Sequence, residues 1–250
     1  LLYDTASDNK RIKLESNKIE IFRLPSKKHL SFGPFDHLVL NTWSADGNAI
    51  LLVVRKNKTF NICIQPLAGR LRKLFTWPRC PDIVIQSANG LDYAILDNTG
   101  FYITDRYKKR TKKLPITIAE SWFNANMKFN KSGSKLAVFK DESFGNPHVS
   151  KEYRLFVVDT AKRKIQKTLK WTACLQGSGL EYDRYLDGWM SDNKTVRIGA
   201  SVWYGVEKPA DSENDWIKMW VIDTSKSNNI ETEVFDSDKK CLGAFWWSSK

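Results

Sequence analysis

The sequence predicts an all-β fold, a β-propeller of four-stranded antiparallel blades, on three observations: a turn recurring at constant spacing, a strand pattern repeating around it, and complementary chain ends. The turn copies are Trp43-Ser44-Ala45-Asp46-Gly47, Gln86-Ser87-Ala88-Asn89-Gly90 and Phe129-Asn130-Lys131-Ser132-Gly133. Gly47, Gly90 and Gly133 are 43 residues apart in each interval, inside the period of about 40–45 residues of four-stranded propeller blades. A looser copy is Met190-Ser191-Asp192-Asn193-Lys194, and the chain ends on the start of another at Trp247-Ser248-Ser249-Lys250.

Each turn precedes an apolar run, at 49–54, 92–96, 135–139 and 196–202. This run reads as the second strand of a hairpin, because Asp-Gly and Asn-Gly supply the positive φ that a two-residue connection requires. A third strand follows. In two units it matches position by position, Arg154-Leu155-Phe156-Val157-Val158-Asp159-Thr160 against Lys218-Met219-Trp220-Val221-Ile222-Asp223-Thr224. After each Asp-Thr come a polar turn and a fourth strand, 165–169 and 230–235. A β-sandwich does not repeat a four-strand unit at constant period, and a helical solenoid needs a sustained 3.6-residue period that these runs lack.

Phe245-Trp246-Trp247-Ser248 reads as an innermost strand with nothing after it, whereas Leu1-Leu2-Tyr3-Asp4 and Lys18-Ile19-Glu20-Ile21-Phe22-Arg23 read as later strands with nothing before them. Joined, they predict a composite blade that closes the ring and removes exposed sheet edges. The expectation is one domain, 1–250, of five blades over 36–76, 82–116, 125–170, 185–236 and the composite 242–250 plus 1–32.

A chain of 250 residues with 10 Trp and 13 Phe has enough flat apolar side chain to fill stacked sheets, which excludes a disordered segment. No run of 18 apolar residues occurs. The start at Leu1, without Met, leads us to expect part of a longer protein. Cys63, Cys80, Cys174 and Cys241 are far apart, without a Cys-x-x-Cys pair or a zinc-finger Cys/His cluster, so no metal is expected. Their even number suits disulfides in an oxidising compartment as well as buried thiols in a reducing one, and a Cys174–Cys241 bridge remains open.

The chain resembles the TolB-like and WD40-like propellers, whose blades carry an aromatic-Ser-Pro-Asp-Gly turn before the second strand; Trp43 to Gly47 is similar, with Ala45 in the place of Pro. No Trp-Asp dipeptide or Gly-His pair of true WD40 blades is present. The resemblance implies a protein-binding or sensory module, often extracytoplasmic (periplasmic) in bacteria, and carries no catalytic residues across.

In such blades the 4→1 and 2→3 connections share one face and the 1→2 and 3→4 turns the other. The first face is expected to hold the aromatic candidates for partner binding, Trp77, Arg79, Trp122, Phe123, His148, Trp171, Tyr182, Tyr185, Trp203 and Tyr204. Two long insertions, 141–153 and 203–216, fall at the same 2→3 step of adjacent blades, and long loops in a compact repeat are usually functional. Tryptophans that merely plug gaps between blades are the structural alternative for Trp77, Trp122 and Trp171. The opposite face is expected to be basic. Of the net charge of +12, much sits in 3→4 turns: Arg106, Lys108, Lys109, Arg110, Lys112 and Lys113, then Lys162, Arg163 and Lys164, with Arg70, Arg72 and Lys73 one blade earlier. Such a field attracts an acidic protein, an anionic lipid surface or phosphate backbones. Nucleic acid ranks last, because only Tyr107 interleaves an aromatic ring with these cations.

No Gly-x-Ser-x-Gly elbow, phosphate-binding glycine loop or His-Glu-x-x-His segment occurs, and His37 and His148 alone do not make a metal site. The expectation is therefore a non-catalytic recognition or scaffolding propeller without cofactor, binding a protein partner. Two enzymatic alternatives stand beside it: a glycosidase using Asp141, Glu142 or Asp183, and a propeller gating a peptidase.

Overall fold

The computed structural model describes residues 2–5, 10–15, 18–23, 28–35, 37–117, 125–141, 151–173, 180–204, 216–226 and 230–236. Every regular element among them is a strand, and the strands form five antiparallel sheets of four. Blade A comprises β1 (Leu2–Thr5), β2 (Lys10–Glu15), β3 (Lys18–Arg23) and β4 (Lys28–Phe32); blade B, β5 (Leu38–Trp43), β6 (Ala49–Lys56), β7 (Thr59–Pro66) and β8 (Arg72–Trp77). Blade C comprises β9 (Pro81–Gln86), β10 (Asp92–Asp97), β11 (Gly100–Asp105) and β12 (Lys112–Lys113). Blade D has β13 (Ala125–Phe129), β14 (Lys135–Asp141), β15 (Lys151–Asp159) and β16 (Lys164–Ala173), and blade E has β17 (Leu180–Trp189), β18 (Thr195–Tyr204), β19 (Trp216–Asp223) and β20 (Ile230–Asp236). The described residues up to Lys113 fall in one compact unit, blades A to C, and those from Leu114 in a second, with blades D and E.

Blade A bears on the N-terminal part of the expected composite blade. Its four strands all come from residues 2–32, because Lys10–Glu15 supplies a strand that pairs with β1 and β3. A four-stranded blade is thereby completed without a strand borrowed from 242–250, which lie outside the described residues.

The recurrent turn is longer than a two-residue connection. Ser44 N donates to Ala49 O (2.9 Å) across four residues, Gly47 N donates to Ser44 O (2.9 Å), and Gly47 sits at φ +68°. Blade C repeats this with Ser87 N to Asp92 O (2.9 Å) and Gly90 at φ +70°, and blade D with Asn130 N to Lys135 O (3.0 Å) and Gly133 at φ +72°. In blade E Met190 N donates to Thr195 O (2.8 Å), and Asn193, at φ +55°, takes the glycine's place. Asn tolerates the left-handed region better than other side chains do, which accounts for the looser fourth copy. Side chains brace the turn: Ser44 Oγ accepts from Ala49 N (2.9 Å) and donates to Asp46 Oδ1 (2.6 Å), as Ser87 Oγ accepts from Asp92 N (3.0 Å) and donates to Asn89 Oδ1 (2.7 Å).

In blades B to E the residue that follows the third strand ties back to this turn. Leu67 N donates to Asn48 O (3.0 Å), Arg106 N to Leu91 O (2.8 Å), Thr160 N to Ser134 O (3.1 Å) and Thr224 N to Lys194 O (2.9 Å). The 1→2 and 3→4 connections of a blade therefore meet at one end of the sheet.

Strand alternation explains the cores. Side chains point to opposite faces along a strand, so Ile50, Leu52 and Val54 of β6 pack on Ile19 and Ile21 of blade A, whereas Leu51 and Val53 pack on Val84, Tyr93 and Ile95 of blade C. A strand sandwiched on both faces must read as a continuous apolar run, as Ala49-Ile50-Leu51-Leu52-Val53-Val54 does. In the second unit Phe139, Tyr153 and Leu155 of blade D meet Leu186, Ile198 and Trp220 of blade E. Tyr153 stacks on Phe139 (6.1 Å between ring centroids) and tilts against Trp220 (5.2 Å).

Candidate interaction surfaces

In the first unit the 4→1 connection from blade B to blade C (78–80) and the 2→3 hairpin of blade C (98–99) converge on a buried carboxylate. Asp97, the last residue of β10, is fully buried. Its Oδ2 accepts from Trp77 Nε1 (2.8 Å) and Arg79 Nε (2.9 Å), and its Oδ1 accepts from Thr99 N (2.8 Å) and Thr99 Oγ1 (2.7 Å). Arg79 Nη2 donates to the Tyr102 hydroxyl (3.2 Å), which also bonds Thr99 Oγ1 (2.7 Å), while the Tyr102 ring meets Trp77 edge-on at 5.2 Å. Burial pushes the Asp97 carboxyl up, but the hydrogen bonds from Thr99, Trp77 and Arg79 outweigh it and hold the pKa below the ordinary value.

This geometry corrects the reading of Trp77. It is 2% exposed, at the end of β8 between blades B and C, so it plugs the interblade gap. Arg79 stays on the surface side, with its side chain 37% exposed and its guanidinium oriented by Asp97. Cys80 is exposed beside it, and its thiol pKa is raised by burial of the sulfur and by the nearby Asp82. Cys63 is buried in β7, and desolvation raises its thiol as well.

The opposite end of blade C carries the cationic turn. Asp105, the last residue of β11, organises it: Oδ1 accepts from Tyr107 N (3.0 Å) and Lys109 N (3.0 Å), and Oδ2 from Arg110 N (2.9 Å) and Arg110 Nε (3.2 Å). Lys108 takes a positive φ of 58°. Burial of the Asp105 carboxyl is outweighed by these donors, so the Asp105 pKa is lowered. Lys108 Nζ reaches back to blade B, donating to Thr76 O (3.1 Å) and lying 5.3 Å from the Trp77 ring centroid. Lys109, Arg110, Lys112 and Lys113 are exposed and Arg106 is half-buried; Lys112 and Lys113 form the outer strand β12 and do not belong to the turn itself. Arg70, Arg72 and Lys73 are exposed in the corresponding part of blade B.

In the second unit the turn after β15 is built alike, with Asp159 Oδ1 accepting from Lys162 N (2.9 Å), and Asp223 Oδ1 accepts from Ser225 N (2.8 Å) after β19. Lys162 and Lys164 are exposed, but Arg163 is buried, at a φ of 52°. Burial thus removes Arg163 from the predicted basic patch. Lys167 Nζ crosses from β16 to blade E, donating to Thr224 O (3.0 Å) and to Lys226 O.

Several predicted aromatic loop residues lie on strands. Trp171 pairs with Tyr153 within β16, Tyr182 and Tyr185 pair with Val202 and Gly199 within β17, and Trp203 and Tyr204 end β18. These hairpins run longer than their apolar cores, so the ladders extend into stretches that read as loop. Of the glycosidase candidates, Asp141 ends β14 and Asp183 lies within β17, opposite Ser201. Trp122, Phe123, Glu142, His148, Cys174 and Cys241 lie outside the described residues.

No family model matches the sequence, and no curated protein matches it. Solved structures do match. A putative TolB from Agrobacterium tumefaciens has a TM-score of 0.53 at 11% identity over 94% of this chain and 79% of that chain. The tricorn protease gives 0.55 at 9% identity over 94% and 26%, and TolB from Acinetobacter baumannii 0.48 at 14% identity over 90% and 52%. The chain spans about half the length of the Acinetobacter protein and about a quarter of the tricorn chain. Likeness at such identities concerns the fold, and at that level the chain is a β-propeller resembling the putative TolB of Agrobacterium tumefaciens.

Proposed function

We propose that this propeller is a non-catalytic recognition module that binds a protein partner. The observation that supports this reading is the position of the two long connections. Both join second to third strands, β14 to β15 and β18 to β19, and the blades that carry them are packed together through Phe139, Tyr153 and Trp220. Long connections at the same step of neighbouring blades are where binding residues concentrate, on loops carried by rigid sheets. The implied protein-binding role of TolB-like propellers agrees with it.

Affinity capture with the intact chain and with a variant shortened in both 142–150 and 205–215 tests the reading. A partner enriched by the intact chain and lost by the variant supports it; an identical set of proteins on both removes it. The enzymatic reading is motivated by the tricorn protease and an oligogalacturonate lyase among the similar folds. Turnover of a glycan by the intact chain, abolished by Asp141→Asn, would replace recognition by catalysis.

A further inference from the structure

We propose that the cationic turn of blade C and the adjoining end of blade B form a docking surface for an acidic protein segment that also carries apolar side chains. Carboxylates of the segment pair with Arg72, Arg106 and Arg110, and its apolar groups rest on Leu91 and Tyr107. This deepens the recognition reading and rests on it, naming a second surface and the chemistry of its occupant.

Charge is the first argument. Residues 67–77 and 106–113 contain three and six cations and no carboxylate. Two acids border the surface: Asp105 is buried and consumed by the turn's own donors, and half-buried Asp92 lies opposite Asp105 in the β10–β11 pair, against nine cations in the two segments. An incoming anion therefore meets a net positive field summed over both blades.

Convergence is the second. Lys108 bridges from the blade C turn to Thr76 O of blade B. Arg106 N is bonded to Leu91 O, which brings the 1→2 turn of blade C beside the cationic turn (2.8 Å). The Phe75 ring of β8 meets the Tyr93 ring of β10 edge-on at 5.3 Å, so the strand that carries Arg72 packs against blade C.

The third argument selects the occupant. Six large apolar side chains are exposed among the described residues, and three of them, Leu71 (41%), Leu91 (55%) and Tyr107 (70%), lie among these cations. The Arg106 guanidinium sits 5.8 Å from the Tyr107 ring centroid, giving a flat apolar platform beside a charge. A phosphate backbone gains nothing from Leu91. A fluid headgroup layer gains nothing from the fixed position that Asp105 gives the Arg110 guanidinium. A peptide with alternating carboxylate and apolar side chains uses both features, since planar guanidiniums pair bidentately with carboxylates and Tyr and Arg anchor protein interfaces.

Fluorescence anisotropy with the full chain tests this. The probes are a labelled Glu-rich peptide bearing Leu and Phe, the same charge pattern with Gly and Ser, single-stranded DNA, and phosphatidylserine vesicles. The Leu/Phe peptide is expected to bind about tenfold more tightly than the Gly/Ser peptide and to lose about tenfold in the Arg72→Glu/Arg106→Glu variant. Leu91→Ser/Tyr107→Ser should abolish the preference between the two peptides. Lys162→Glu/Lys164→Glu, reversing exposed charges in the second unit, should leave it intact, and unchanged circular dichroism certifies each fold. Equal affinity for both peptides, tighter binding to DNA or vesicles, or indifference to charge reversal at Arg72 and Arg106 overturns the proposal. If partner capture by the 142–150 and 205–215 surface persists while these results are negative, the docking surface fails and the recognition reading stands. If the intact chain captures no partner and binds neither peptide, both fail.

Discussion

Removal of the Asp97 carboxylate should destabilise the first unit by an amount that can be assembled from its four donors. In Asp97→Ala, Trp77 Nε1 loses its acceptor in a site where the indole is 2% exposed, at a cost of about 1–3 kcal/mol. Arg79 loses its partner, but with 37% of its side chain in water it rehydrates, adding at most about 1 kcal/mol. The two Thr99 bonds lie near solvent and add about 0.5–1 kcal/mol, for a total of about 2–4 kcal/mol. Asp97→Asn should cost about half of that: its oxygen can serve Trp77 and Arg79, and its amide can donate to the Thr99 hydroxyl, so that the Thr99 N–H alone is stranded. Urea unfolding followed by tryptophan fluorescence measures both. In a Trp77→Phe background, which has no indole N–H to strand, Asp97→Ala should cost about 1–3 kcal/mol less. An Asp97→Ala variant within about 0.5 kcal/mol of the parent, or a cycle without coupling, would refute the network. The sign with pH follows from the lowered pKa of Asp97. Its contribution is present above the unfolded value of about 3.9 and is lost as pH falls through the folded value, so parent and Asp97→Asn should converge in acid.

Asp105→Asn should release the amides of Tyr107, Lys109 and Arg110, raising their hydrogen exchange about tenfold; the same release should appear in the parent once acid titrates Asp105, whose pKa is lowered. Gly47→Ala, at φ +68° with no atom near the added carbon, should cost about 1 kcal/mol in urea unfolding through backbone strain alone. Gly47→Asn should cost less, because blade E already holds Asn193 there. Cys80, exposed, should react with a thiol reagent at least about tenfold faster than buried Cys63, with peptide mapping to separate the two and the Cys80 rate rising with pH as its raised thiol ionises.

The blade pattern was legible because its signals are local. A left-handed residue after Ser-Ala-Asp or Ser-Ala-Asn, followed by an apolar run, is settled within ten residues, as are the Asp-Thr ends of β15 and β19. The N-terminal sheet was half legible. Lys10-Arg11-Ile12-Lys13-Leu14-Glu15 carries two apolar residues among four charges, so its alternation reads as a charged linker until pairing with both β1 and β3 makes it a strand. The site was less legible, because burial there is decided by partners distant in sequence. Asp97 in Asp97-Asn98-Thr99-Gly100 reads as an ordinary turn former; what makes it a centre is Trp77, twenty residues earlier. Arg163 inside Lys162-Arg163-Lys164 reads as surface charge, and its burial is not written in that triplet. Asp105 had a readable signal that went unused: it ends β11 as Asp159 and Asp223 end β15 and β19, each followed by a turn whose backbone it caps.

The bond that returns from the end of the third strand to the 1→2 turn in blades B to E has a kinetic consequence. It closes a loop wholly inside one blade, so each sheet gathers its hydrogen bonds, its turn and its return contact from neighbours close in sequence, at small entropic cost. The cores between blades, by contrast, form only when two finished faces meet. Folding should then proceed as in other repeat proteins, by condensation of single blades that afterwards dock in succession, and a fault in one turn should slow the assembly of its own blade while leaving the others free to form.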